Sequence, residues 1–269
     1  MKPFALWSLL FLAAFPPFLA AQSSDAPMTA DELACLQKMI FFHECSGKTE
    51  LMTTWNSDED FPSFGIGHFI WYPTGKKGPY KETFPEYLAF MEEQKEEIPD
   101  WVKKLPVREA PWQDREEFLD DLSGERMILL REFLDRTQKF QAQFILRRTE
   151  GVLPKILATL PEEKQPEIET KFKMVADTPN GMFALIDYVN FKGEGILETE
   201  RFQGQGWGLL QVLETMQIPE EKEGAVKEFV QAAKKVLEDR CRNAPPERDC
   251  SKRLKGWKAR VKNYLKIHC

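Results

Sequence analysis

Apolar residues first fall into a helical rhythm just after Thr29, where Leu33, Leu36, Met39, Ile40 and Phe42/His43 recur at three- and four-residue intervals. Thr29-Ala30-Asp31-Glu32 precedes them in the form of a capping box. The spacing predicts a helix running to about Cys45 and stopping at Ser46-Gly47, since glycine suits the left-handed cap position. From 48 to 73 the rhythm is lost. Pro62, Gly65 and Gly67 interrupt it, while Phe64, Ile66, Phe69, Ile70, Trp71 and Tyr72 favour extended chain, so a small hairpin or three-stranded sheet is predicted. Residues 73–81 read as an exposed loop.

Beyond Thr83 the helical period dominates. Thr83-Phe84-Pro85-Glu86 has the form of a second capping box with proline in the first turn. Amphipathic helices are predicted over 84–96 and 113–122, and a longer one over 124–149 carries Met127, Leu130, Leu134, Phe140 and Phe144. Further helices are predicted near 162–176, over about 180–191, within 204–216, from 219 to about 240, and over roughly 250–266. No internal repeat is visible. The fold class is therefore α+β and mostly α: one domain over 22–269 with a small β-lobe at about 48–73, after the first helix.

Composition agrees with a folded chain: 269 residues, 42% hydrophobic and 30% charged. Residues 1–21 stand apart. Lys2 supplies a basic start, Phe4 to Phe15 is almost wholly apolar, and Pro16-Pro17 and Ala20-Ala21 follow. The apolar run is shorter than the ~20 residues a membrane-spanning helix needs, and it reads as a signal peptide that directs the protein to the periplasm or outside the cell. Loss of Lys2 moves the formal charge from −6 to −7. That acidity disfavours nucleic acid as a partner, and no membrane association is expected once the segment is removed.

Five cysteines fit an oxidising compartment. Cys241 and Cys250 flank Asn243-Ala244-Pro245-Pro246, a stretch that must turn, and are the most plausible bridge. Cys35 and Cys45 share the first helix, ~15 Å apart at the helical rise, too far to pair; one of them is expected to reach Cys269. The three histidines, His43, His68 and His268, show no paired ligand spacing, so neither a metal nor another cofactor is expected.

Three segments are richer in glycine, aromatic and acidic residues than packing requires. In His43-Glu44-Cys45-Ser46-Gly47, a carboxylate sits in the last turn of an apolar helix. The negative end of the helix dipole favours its neutral form, as a general acid needs, although a solvent-facing Glu fits the same position. In the stretch from Trp55 to Tyr72, Asp58-Glu59-Asp60 precede Ser63 and a Gly-x-Gly strand flanked by Trp55 and Trp71. Aromatic faces stack on sugar rings and carboxylates support an oxocarbenium-like centre, whereas an acidic tip with structural glycines is the ordinary alternative. The third segment joins Asp187-Tyr188-Val189-Asn190-Phe191-Lys192-Gly193-Glu194-Gly195 to Gln205-Gly206-Trp207-Gly208 and Gln211. It reads either as groove wall or as two helix caps around a buried Trp.

A Glu ending the first helix, followed by a hairpin whose last strand reads Ser63-Phe64-Gly65-Ile66-Gly67-His68, resembles the phage-type lysozymes of the lysozyme-like superfamily. The match is tight over about 30 residues, His43 to Tyr72. It implies Glu44 as proton donor, Ser63 at the hydroxyl position and His68 as a structural residue. That family's hairpin acid lies nine residues after the Glu and six before the hydroxyl; here those positions hold Thr53 and Ser57. Asp58, Glu59 or Asp60 can take the acid's place, with Glu59 foremost and then Asp58. The third segment is loosely similar to the family's helix ending in Asn-x-x-Gly.

The resemblance implies a glycosidase cleaving β-1,4 links of amino-sugar polymers, peptidoglycan foremost, without a cofactor. Trp55, Trp71, Tyr72, Asn190, Lys192, Glu194, Gln205, Trp207 and Gln211 are its candidate substrate-binding residues. Lytic transglycosylation, and a non-catalytic glycan-binding protein, are the alternatives. The net acidity adds an expectation of preference for N-deacetylated, cationic polymer.

Overall fold

The computed structural model describes residues 28–78 and 80–266. The expected signal peptide, and the expectation for Cys269, lie outside them. The first helix, α1 (Ala30–Cys45), begins as its sequence dictates: Thr29 Oγ1 accepts the Glu32 N–H at 3.2 Å and Glu32 reaches back to the Thr29 N–H at 2.8 Å. It ends at Ser46, which takes a left-handed conformation, followed by Gly47.

The β-lobe comes next. Its strands β1 (Thr53–Thr54), β2 (Ser63–Phe64) and β3 (Phe69–Ile70) form an antiparallel sheet in sequence order, with Ser63 paired to Thr54 on one side and Ile70 on the other. Two-residue strands cannot stand alone. Phe64, Trp71, Phe84, Trp112 and Phe118 pack ring against ring beneath them. The two glycines of the Gly-x-Gly strand belong to this support. Gly65 has φ +75°, and a Cβ there would lie 2.4 Å from Gln141 Oε1, which accepts the Ile66 N–H at 2.7 Å. A Cβ on Gly67 would meet the Phe69 ring at 2.4 Å.

The remainder is helical: α2 (Phe84–Glu93), α3 (Asp100–Lys103), α4 (Arg115–Asp120), α5 (Glu125–Arg136), α6 (Gln138–Glu150), α7 (Val152–Ala158), α8 (Gln165–Ala176), α9 (Pro179–Lys192), α10 (Leu209–Thr215), α11 (Ala225–Asn243) and α12 (Ser251–Asn263). The class is mostly α with small antiparallel sheets, as the pattern predicts. α1 packs on α6 and α9; α11 packs on α8, α9, α10 and α12. One apolar core runs through both halves.

Several boundaries differ from expectation. The helix predicted over 124–149 is two, because at Thr137 the backbone leaves helical geometry and the hydroxyl bonds the Phe133 carbonyl at 2.6 Å. Thr83 does not cap α2; its hydroxyl accepts the Ile70 N–H at 3.0 Å and so serves the sheet. The short helices α3 and α7, and a hairpin of β4 (Arg201–Phe202) with β5 (Gln205–Gly206), carry too few residues for a period to emerge. Cys241 and Cys250 are bridged, with Cα atoms 5.4 Å apart, joining the end of α11 to the start of α12. Closing so short a loop stabilises by about 2.5 kcal/mol in the chain-entropy picture. Cys35 is disulfide-bonded, whereas Cys45 is a free buried thiol pushed up to about 12, by burial first and by Glu44 second.

Candidate functional site

Glu44 lies where α1, the lobe, α9 and α12 converge. Its side chain is 23% exposed. Behind it, His68 of the lobe turn places Nε2 3.3 Å from the Glu44 carbonyl oxygen, which ties the Gly-Ile-Gly-His turn to the last turn of α1. In front, Arg260 of α12 donates from Nη2 to Glu44 Oε1 at 3.0 Å.

The same guanidinium is anchored deeper. Arg260 donates from Nε to Asp187 Oδ2 at 2.9 Å and from Nη2 to Asp187 Oδ1 at 2.6 Å, and Tyr264 donates its hydroxyl to Asp187. Asp187, on α9, is 2% exposed, so its charge is kept in the interior by these three bonds. Burial alone would lower the proton affinity of Arg260; the Asp187 hydrogen bonds and charge, with that of Glu44, outweigh it and raise it. Arg260 is a fixed cation. His43, beside this group and against the Phe183 ring at 4.9 Å, is held below the usual imidazole range by burial, with Asp187 opposing that shift. It is neutral at pH 7.

Chemically, this is an aimed carboxylate on a permanently charged support. Arg260 orients the Glu44 carboxylate through a charge-assisted hydrogen bond. The helix end alone, which the sequence reading emphasised, is the lesser influence beside a guanidinium at 3.0 Å.

The lobe residues sit differently from expectation. Asp58 and Asp60 are exposed. Glu59 is engaged at the tip, where Asn56 Nδ2 donates to its Oε2 at 3.0 Å and Trp55 Nε1 to its carbonyl at 2.8 Å. Among the described residues none of these acids contacts Glu44 through a hydrogen bond or ion pair. Ser63 is buried with its hydroxyl 3.1 Å from Thr54 Oγ1. Thr53, at one position where the resemblance wants an acid, accepts a bond from Arg131 Nε at 2.8 Å.

The aromatic candidates of the lobe require correction. Trp71 is fully buried among Phe64, Phe84 and Trp112, with Nε1 donating to the Arg108 carbonyl at 3.1 Å. Trp55 is buried against Phe118, and Tyr72 is buried with its hydroxyl on the Tyr80 carbonyl. These rings are core, with no face left for a sugar.

The third segment divides in two. Gln211 caps its own helix, accepting the Gly208 N–H at 2.9 Å and donating to the Gly195 carbonyl at 3.1 Å, while Glu194 pairs with Lys155 at 2.7 Å. Gln205 accepts from Asn243 at 2.6 Å, and Asn190 is exposed. Trp207 is buried, with the Arg240 guanidinium 4.4 Å from its ring centroid. Lys192 does join the site: its Nζ and the Arg260 guanidinium lie 3.9 and 4.8 Å from the centroid of Phe191.

Sequence reading missed Asp187 as a network member, Arg260, Tyr264, Arg240 and Trp257. Asp187 had a signal, a lone acid inside the apolar run Phe183 to Val189, where a buried charge demands a partner. Comparison of the chain with protein-family models, curated proteins and solved structures found no match.

Proposed function

We propose that the protein is an exported glycan-cleaving enzyme of lysozyme-like type, acting on β-1,4-linked amino-sugar polymers with Glu44 as proton donor. The observation that carries this reading is the double tether of Glu44: the Gly-Ile-Gly-His turn holds its backbone through His68, and Arg260 holds its carboxylate. Glu44 in its acid form gives its proton to the glycosidic oxygen as the bond from that oxygen to the sugar's anomeric carbon breaks; Arg260 holds the carboxylate left behind, which then takes the proton of the attacking water. The Cys241–Cys250 bridge supports export. Among the described residues no helix is long and apolar enough to cross a membrane.

A second reading, lytic transglycosylation, is favoured by the hydroxyl pair Thr54 and Ser63, 3.1 Å apart on adjacent strands, together with Thr53 where the resemblance wants an acid. With one catalytic Glu, a hydroxyl of the sugar itself closes an anhydro ring. Digestion of peptidoglycan followed by mass analysis separates the two, since hydrolysis leaves reducing ends and transglycosylation leaves anhydro ends. Glu44→Gln should lower the rate at least about 100-fold, the usual worth of a general acid. A Glu44→Gln protein as active as wild type refutes Glu44 as the proton donor in both readings, whereas a wild type that binds the polymer and cleaves none of it leaves a non-catalytic binding protein.

A further inference from the structure

Beside Arg260 lies a group of cations that proton donation by Glu44 does not use. Lys192 Nζ is 3.4 Å from the centroid of Trp257 on α12 as well as 3.9 Å from that of Phe191. The Arg240 guanidinium, from α11, lies 4.8 Å from the same Trp257 centroid and 4.4 Å from Trp207. Arg240 Nε and Nη1 are both out of contact with water and without a hydrogen-bond partner. Among the described residues neither Arg240 nor Lys192 makes an ion pair. Ring faces attract cations, but they do not supply the counter-charge that a guanidinium with unpartnered N–H groups requires.

The surroundings deepen the imbalance. Burial pushes Lys192 down to about 6, and the charges of Arg240, Arg260 and Arg253 push the same way. Arg240 is lowered by burial, opposed by Tyr188 and assisted by Arg253 and Arg248. Although the chain carries −6, residues 240–266 hold ten Lys and Arg against two acids, Glu247 and Asp249. Half-buried Arg240 lacks a counter-charge among the described residues; a bound anion supplies one and holds half-buried Lys192, otherwise largely neutral at pH 7, in its protonated form, and the planar donor fork of arginine suits a carboxylate or a phosphate.

We propose that Lys192 and Arg240 form a binding site for an oxyanion, a carboxylate or phosphate group carried by the glycan strand that Glu44 cleaves. Its place next to the cleaved bond rests on the functional reading above; the anion site itself does not. Phe191 and Arg260 connect the two, since Lys192 and Arg260 share that ring and Arg260 holds Glu44. The site selects strands that bear acidic substituents, and it reverses the preference for cationic, N-deacetylated polymer that net charge suggests.

The test is calorimetric titration of the whole mature protein with inorganic phosphate and, separately, with lactate as a carboxylate probe. Wild type is expected to bind both. Arg240→Gln should bind at least tenfold more weakly, while Lys262→Gln, at an exposed cation on α12, should be unchanged. Because Arg240 is packed between rings, Arg253→Gln, at an exposed cation whose charge acts on both Lys192 and Arg240, gives a second measure, with an expected loss of at least threefold. No binding by wild type, or equal weakening by Lys262→Gln, overturns the site.

A second arm compares cleavage of native polymer with polymer whose carboxyl groups have been reduced to alcohols. Native polymer should be cleaved at least fivefold faster, and Arg240→Gln should erase the difference. Phosphate should slow cleavage of the native polymer only. Anion binding that Arg240→Gln abolishes, in a protein that cleaves no polymer, supports the site and overturns the functional reading. Cleavage of both polymers at one rate with no anion bound overturns the site and leaves that reading standing.

Discussion

The β-lobe and the α9–α11–α12 junction are both built on tryptophan and phenylalanine, yet the rings do opposite work. Under the lobe, Phe64, Trp71, Phe84 and Trp112 face one another, and the Trp71 and Trp112 N–H groups are satisfied by the Arg108 carbonyl and by Asp121. At the junction, Phe191, Trp207 and Trp257 face Lys192, Arg240 and Arg260. A ring whose face meets another ring contributes area and shape; a ring whose face meets an unpaired cation keeps a charge where water is scarce. The motif-rich lobe is therefore support for Glu44, and the plain basic helix α12 brings the chemistry to it.

The contrast breaks most readily at Asp187, the buried acid beneath Arg260. Asp187→Asn keeps the shape and removes the charge from beneath Arg260. Because Arg260 retains Glu44 and is partly exposed, the loss should fall near the low end for a broken buried pair, about 3 kcal/mol. Urea unfolding measures it. A loss below about 1 kcal/mol would show that Glu44 alone balances Arg260, and the junction would then resemble the lobe in needing no internal charge.

The lobe has its own weak point, and it is steric. Gly67→Ala places a Cβ against the Phe69 ring, which is fully buried beneath the sheet. Overpacking of this kind costs about 1–3 kcal/mol. Since His68 carries the contact to the Glu44 backbone, the same variant should also lower activity. Unchanged stability and rate would mean that the turn has room, and the glycine would need another explanation.

These differences bear on what could be read from sequence. The start of α1 was legible because a capping box is local, and so was the Cys241–Cys250 bridge, because nine residues with two prolines must turn. The lobe was legible as a place, since glycine and β-branched or aromatic residues displace the helical period. Its rings, which read as a ligand surface, are buried core. Trp71 and Trp257 look alike as letters, and only packing tells a ring facing Phe84 from one facing Lys192. Arg260 is one of ten cations near the chain end, and nothing local marks it as the partner of a carboxylate 216 residues earlier.

Lys192 offers an effect read only as a change with pH, which isolates its charge from the packing around it. Its folded-state proton affinity is depressed to about 6, by burial first and then by Arg240 from α11 and by Arg260 and Arg253 from α12. Between that value and the ordinary lysine value near 10.4 the unfolded chain binds more protons than the folded one, so stability rises with pH across the window. Below about pH 6 both states are protonated and the full penalty is present; above about pH 10 neither is, and the penalty is gone. Lys192→Met keeps the length and loses the charge. Its stability advantage over wild type, measured in buffer free of phosphate and carboxylate, should be largest at or below pH 6 and shrink steadily towards pH 10. An advantage that is flat with pH would mean that Lys192 is balanced by a counter-charge in the free protein, and the rings of the junction would then be core like those of the lobe.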